Sequence, residues 1–186
     1  MSVAIEVSGE LAQLPKAEAD PAQLRMALQE HHAGAWRWAL RCARGDTDTA
    51  MEALQDGYVA VLQGRAAFAG RSSFKTWLFA IVRRCVQRVH RRRLLSGWIF
   101  EPVERAETLV APPPPPPRNR ALERGVAGLP ARQREIIALV FEHDLTVEEA
   151  AAAMQISVGS ARQHYARAKA KLRAVLTEKG DSNGRH

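Results

Sequence analysis

The densest set of residues able to recognise another macromolecule lies in LTVEEAAAAMQISVGSARQHYARAKAKL, Leu145 to Leu172. Ser160, Arg162, Gln163 and His164 fall within the first two turns of a helix expected to begin at Ser157. Those turns reach base edges when a helix enters the major groove end-first. An arginine fork fits the acceptors of guanine and a glutamine amide fits adenine. Arg167, Lys169, Lys171 and Arg173 follow further along, where contacts to phosphate are expected and carry little sequence information. This chemistry is hydrogen bonding and charge pairing, and it makes or breaks no covalent bond.

A second concentration is purely cationic: six arginines, Arg83, Arg84, Arg88, Arg91, Arg92 and Arg93, with no acidic residue between them. Charge runs are usually solvated faces. This one exceeds what solubility needs and is expected to follow a phosphate backbone. Just before it, Phe68, Phe74, Trp77 and Phe79 bracket the loop Arg71-Ser72-Ser73, a candidate for capture of an unstacked base, although core packing is the better reading for Phe74 and Trp77. No catalytic or metal grouping is expected. His31 and His32 are adjacent, and His90, His143, His164 and His186 lack partners at ligand or acid-base spacing. There is no phosphate-binding glycine loop.

Helices must position all of these residues, and the fold class expected is all-α. Asp20-Pro21-Ala22-Gln23 is a good helix opening, and the first helix runs to about Ala43. After a Gly45-Asp46 turn, Met51, Leu54, Tyr58, Val61 and Leu62 predict the buried face of a second helix, with Glu52, Gln55 and Asp56 opposite. The third carries Phe74, Trp77, Leu78, Ile81, Cys85 and Val89 inward, and its arginines are expected to cover the remainder. Pro112 to Pro117 then exclude helix and sheet; in polyproline II they span about 19 Å, a stiff spacer. Beyond it come a short helix with Leu122 and Val126, a helix opening at Leu129-Pro130, and the helix pair already described. Thr146-Val147-Glu148-Glu149 matches a capping box. The expected organisation is an arm over 1–19, a helical domain over 20–96, a linker over 97–118, a helix-turn-helix domain over 119–177 and a tail over 178–186.

The chain has 186 residues, a formal net charge of +7 and a pI near 10.1, which fits two small modules with polyanion-attracting surfaces. Nucleic acid is the leading partner and an anionic membrane surface the runner-up. No apolar run approaches the roughly 20 residues of a membrane span, and no signal-peptide pattern opens the chain, so a cytoplasmic location without membrane insertion is expected. Cys42 and Cys85 read as two small buried hydrophobes.

The order and spacing of SSFKTWLFAIVRR and LPARQREIIALVFEHDLTVEEAAAAMQISVGSARQHYARAKAKLRAVL resemble the extracytoplasmic-function sigma factors of bacterial RNA polymerase, members of the sigma-70 family. The resemblance covers about 22–95 and 119–177. It implies a region 2-like domain that binds core RNA polymerase and the minus-ten element, and a region 4-like domain that reads the minus-thirty-five element. Docking on the β′ clamp helices falls on the stretch from Glu52 to Asp56, with Glu52, Leu54, Gln55 and Asp56 as contacts, and region 4 meets the β flap. Base capture falls on Arg65, Arg71, Ser72, Ser73, Phe74 and Lys75, with Arg84 and Arg88 along the DNA. Ser160, Arg162, Gln163, His164, Arg167 and Lys169 read the upstream element. The resemblance also implies an anti-sigma partner.

Departures from the family pattern are specific. Arg84 stands where asparagine is common, and Arg88 and Val89 stand where an aspartate-histidine pair is common, so no minus-ten preference is carried over. Gln155 replaces the usual turn glycine, at a cost on the order of 1 kcal/mol if its φ is positive. Ala150, Ala153 and Ala161 replace larger aliphatics, which predicts a thin core and a region 4 that depends on a partner for order. Two alternatives stand beside this reading: a polymerase-independent helix-turn-helix regulator, and a polymerase-binding protein that does not read promoters.

Overall fold

The computed structural model describes residues 21–95 and 120–182. The arm, the Asp20 cap and the proline linker fall outside them. Seven α-helices and no strand make up the described residues: α1 Pro21–Cys42, α2 Thr47–Leu62, α3 Phe74–Leu95, α4 Arg120–Ala127, α5 Ala131–Phe141, α6 Val147–Met154 and α7 Val158–Ser182.

Helices α1, α2 and α3 pack on one another as the first domain. Asp46 caps α2, its carboxylate accepting from the amides of Asp48 and Thr49 at 3.1 and 3.2 Å. The buried face of α2 is Thr49, Ala50, Ala53, Leu54, Gly57 and Val61, whereas Leu62 is exposed and Met51 and Tyr58 are only half-buried. The expected face is therefore rotated toward the small residues. Small side chains let two helices approach closely: a Cβ on Gly57 would lie 3.5 Å from Ile81 Cγ2 and 3.9 Å from Cys85 Sγ.

Helix α3 is buried on more of its surface than one apolar stripe. Phe79, Val82, Arg83 and Val86 join Phe74, Leu78, Ile81, Cys85 and Val89 in the interior. The reason is the second domain. Helices α4 to α7 form a unit in which α7 packs on α4, α5 and α6, and α6 also packs directly on α3. Ala150, Ala151, Ala153, Met154 and Ala161 consequently belong to one continuous core with Trp38, Leu78, Phe79 and Val82. The alanines that predict a thin core are the surface that permits this close contact.

Arg134 closes the end of α4, donating to the carbonyls of Ala127 and Leu129 at 3.1 and 2.9 Å. Helix α7 continues to Ser182, beyond the expected end near Leu176. No proline interrupts it, and the Thr177 hydroxyl donates to the carbonyls of Arg173 and Ala174, which keeps the turn closed.

Candidate nucleic-acid interface

The helix-turn-helix is α6 and α7. Thr146 Oγ1 accepts from the Glu149 amide at 3.1 Å, and Glu149 Oε2 accepts from the Thr146 amide at 2.9 Å, a complete capping box. Two orphan amides of the helix start are thereby satisfied. Gln155 turns the chain at φ 56° and ψ 48°, the left-handed region. Ser157 opens α7: its hydroxyl accepts from the Ser160 amide at 3.1 Å and donates to Ser160 Oγ at 2.9 Å.

Ala161, Tyr165, Ala168 and Leu172 line the inner face of α7 at steps of three and four. Ser160, Gln163 and Arg167 form an opposite row and are exposed. Arg162 is also exposed, and its guanidinium donates to Glu148 on α6 at 2.7 Å. That bond holds the Glu148 carboxyl below its ordinary range. The pair is solvent-screened, so a guanine edge or a phosphate can compete for the arginine. His164 is half-buried. Lys169 lies with its ammonium 4.3 Å from the Tyr165 ring centre, a cation-π contact beside the exposed Phe141. Of the residues expected to read bases, Ser160 is thus partly committed to the cap, and Gln163 and Arg167 project freely from the helix.

In the first domain, Arg65 and Arg71 are exposed on the loop before α3, and Arg65 donates to the Gln63 side chain at 3.0 Å. Ser73 caps α3, accepting from the Thr76 amide at 3.2 Å, and Ser72 donates to the Ser73 carbonyl. Phe74 is not available as a base-contacting ring. It is buried and packed against Phe68, Trp77 and His31, at centroid distances of 5.7, 5.2 and 5.8 Å. Lys75 donates its ammonium to the carbonyl of His143 in the second domain.

The arginine stripe divides. Arg84, Arg88 and Arg91 are exposed along one side of α3. Arg83 is buried and bonds Glu135 at 3.2 Å; the Gln87 amide, oriented with its oxygen toward Arg83, accepts from both terminal nitrogens at 2.7 and 3.0 Å. Arg93 reaches Asp46, Thr49 and Glu52, and Arg92 pairs with Glu52. The expectation that all six arginines cover the surface is corrected for Arg83 alone, which is buried; Arg92 and Arg93 stay at the surface but are paired with acids of α2 and its cap.

The face of α2 expected to dock on polymerase also needs one correction. Leu54 is 5% exposed and belongs to the core. Glu52, Gln55, Val59 and Leu62 instead follow steps of three, four and three along the outward side, with Asp56 beside them. Val59 and Leu62 are 43% and 47% exposed, apolar residues that sequence reasoning either passed over or turned inward. Their spacing from Glu52 and Gln55 is the signal that could have found them.

Among the described residues no group of His, Cys, Asp and Glu is arranged to hold a metal, and no helix is long and apolar enough to cross a membrane. Burial pushes the thiols of Cys42 and Cys85 up, which disfavours thiolate chemistry.

Residues 27–94 match the family described as Sigma-70 region 2, and residues 125–174 match Sigma-70, region 4. A curated relative, the ECF RNA polymerase sigma factor SigM of Mycobacterium tuberculosis, is 25% identical over 150 residues, 80% of this chain and 74% of the relative. Two solved structures share the fold. The sigma factor RpoE in complex with the anti-sigma factor NepR from Bartonella quintana superposes with a TM-score of 0.60 at 23% identity, over 82% of this chain and 96% of that one. CnrH in complex with the cytosolic domain of CnrY gives 0.57 at 20%, over 92% and 96%. Two helical domains in this order, the second a capped helix-turn-helix, define a promoter-specificity factor. The chain belongs to the sigma-70 family and has the region 2 and region 4 architecture of its extracytoplasmic-function members.

Proposed function

We infer that this chain is an alternative sigma factor that binds core RNA polymerase and brings it to promoters, acting without catalysis in the cytoplasm. The observation that carries the reading is the pairing of the two matched regions with a helix-turn-helix whose cap, turn and outward polar row are complete. In this reading the outward face of α2, Glu52, Gln55, Asp56, Val59 and Leu62, docks on the β′ clamp helices, and the second domain meets the β flap. Arg65, Arg71, Ser72 and Ser73 bind the minus-ten element and Arg84 and Arg88 follow its backbone. Ser160, Arg162, Gln163, His164, Arg167 and Lys169 read the minus-thirty-five element. Two weak contacts on one chain reinforce each other through a tether, so the spacing of the elements becomes part of the specificity. RpoE is solved in complex with the anti-sigma factor NepR, and we extend that class of partner to this chain.

Run-off transcription with core polymerase and a genomic promoter library tests the reading. Stimulation on a defined promoter subset is expected; polymerase binding with no stimulation on any promoter would favour a protein that occupies polymerase without reading DNA. Gln163→Ala is expected to change preference at one upstream base, whereas Arg173→Ala weakens all sequences alike. Equal, sequence-blind losses from both would remove the base-reading role of Gln163.

A further inference from the structure

The start of α6 carries two acids side by side, and only one of them has a task in the fold. Glu149 completes the capping box with Thr146, which leaves Glu148 outside it. The Glu148 carboxylate reaches across the turn to α7 instead, where Oε1 accepts from Arg162 Nη2 at 2.7 Å. Both side chains are largely exposed, 53% and 68%, so the bond adds little to stability.

Charge makes Glu148 unexpected where it stands. When a recognition helix enters the major groove, the helix before it crosses the phosphate backbone. An acid in the first turn of that helix lowers affinity for every DNA sequence alike. From Ala150 to Thr177 the chain has no acid at all, while Arg162, Arg167, Lys169, Lys171 and Arg173 follow. One negative charge is kept on an otherwise cationic pair of helices, and it is spent on one arginine.

A guanidinium offers several N–H donors in a planar fork. Glu148 takes one of them, from Nη2, and leaves enough for the two acceptors of guanine, O6 and N7. That base edge carries no charge, so Arg162 can hold it and Glu148 together. A phosphate cannot share the arginine in this way. Drawn to Arg162 it meets the Glu148 charge, and an arginine that swings away to it leaves the carboxylate unpaired beside the backbone.

We propose that Glu148 is a positioning residue for Arg162, directing it to a guanine edge and away from phosphate, so that the chain gives up affinity on all sequences for discrimination at one base pair. The proposal rests on the promoter-reading function above, and it names guanine as the base read at the register of Arg162. The repulsion that Glu148 adds is part of the specificity.

Holoenzyme bound to promoters randomised over the upstream element tests this. In the wild type, guanine at one position is expected to be preferred by about tenfold, within the range of a forked contact, and Arg162→Ala identifies that position by abolishing the preference. Glu148→Ala is expected to lower the preference there to about threefold or less, while binding averaged over all sequences rises about two- to threefold at roughly 0.1 M salt and the rise fades as salt is added. Glu148→Asp keeps the charge on a shorter arm and should lose preference without the general gain. In an Arg162→Ala background, Glu148→Ala should change no base preference. A preference unaltered by Glu148→Ala, or a loss of binding that falls equally on all sequences, overturns the proposal while the wild type still reads its element. A wild type with no preference at any upstream base overturns the promoter-reading function itself, and the role of Glu148 with it.

Discussion

Gln155 holds a backbone position that glycine would occupy with less strain. At φ 56° its Cβ is crowded by the following carbonyl, at a cost of roughly 1 kcal/mol. Gln155→Gly is expected to stabilise the protein by at most about 0.6 kcal/mol, the roughly 1 kcal/mol of relieved crowding less the roughly 0.4 kcal/mol or more that glycine's freedom gives the unfolded chain. Thermal unfolding reads this as a rise of up to about 2 °C, and a lower midpoint contradicts it. The left-handed turn was legible because the capping box fixes where α6 begins and Ser157 fixes where α7 begins, leaving Gln155 as the hinge. Arg83 was not legible. Its neutralising acid, Glu135, lies on another helix in the other domain, outside any local window of charge. The buried Arg83–Glu135 pair predicts a loss of about 1–3 kcal/mol for Arg83→Ala, less than for a lone buried charge because Glu135 loses its closer cation at 3.2 Å but keeps Arg132 at 3.7 Å. Arg88→Ala, on the exposed side of the same helix, should stay within about 0.5 kcal/mol. Matched denaturation curves check both, and similar midpoints for the two variants count against the assignment.

At the scale of the element, α6 shows why composition misled. Four consecutive alanines, Ala150 to Ala153, predict an underfilled module when α6 is imagined against α7 alone. Three of the four are buried, and α6 packs on α3 as well as on α7. Filling that space therefore has the opposite sign from filling a void. Ala153→Leu, at a position with no exposure, is expected to cost about 1–3 kcal/mol through overpacking, whereas a thin core predicts a gain. Chemical denaturation separates the two, and a higher midpoint would restore the thin-core reading. The same limit applies to α2. Helical periodicity places an apolar face, but it cannot say that Ala50, Ala53 and Gly57 outrank Leu62 as the contact surface when a close-packed neighbour favours small side chains. Element existence, caps and order were legible; which side of each helix meets which neighbour depends on contacts remote in sequence.

For the whole molecule, the packing of the second domain on the first should respond to acid through His143, whose ring is 2% exposed and sits edge-on to Trp38 and Phe79. Burial lowers its pKa from 6.5 to about 4; Glu142 opposes the shift, and Lys75, Arg37 and Arg41 assist it. Glu30 and His31 of α1 and Asp144 of its own loop share the adjoining cleft. Burial also lowers the His31 pKa. A depressed histidine means that a form with the domains parted binds the proton more readily than the packed one. The contribution to packing is full above pH 6.5 and falls away progressively between pH 6.5 and about 4. Energy transfer between dyes at exposed Gln29 on α1 and Ala170 on α7 should decline over that window in wild type, and His143→Phe, which cannot charge, should flatten the decline. A wild-type profile that is level from pH 7 to 4.5 contradicts this.

The sharing of α3 between both domains also bears on how sequences of this kind can be recombined. One side of α3 completes the first domain, and Phe79 and Arg83 join it to the second through His143 and Glu135. A hybrid that joins this amino-terminal half to another carboxy-terminal half keeps the contact between domains only where that half supplies an acid in place of Glu135 and a ring that fits beside Trp38 and Phe79 in place of His143. Compatible halves are those that exchange the contact residues together, so Arg83, Glu135, His143 and Gly34, whose missing side chain leaves room for Phe79 and the His143 ring, should travel as one unit of inheritance.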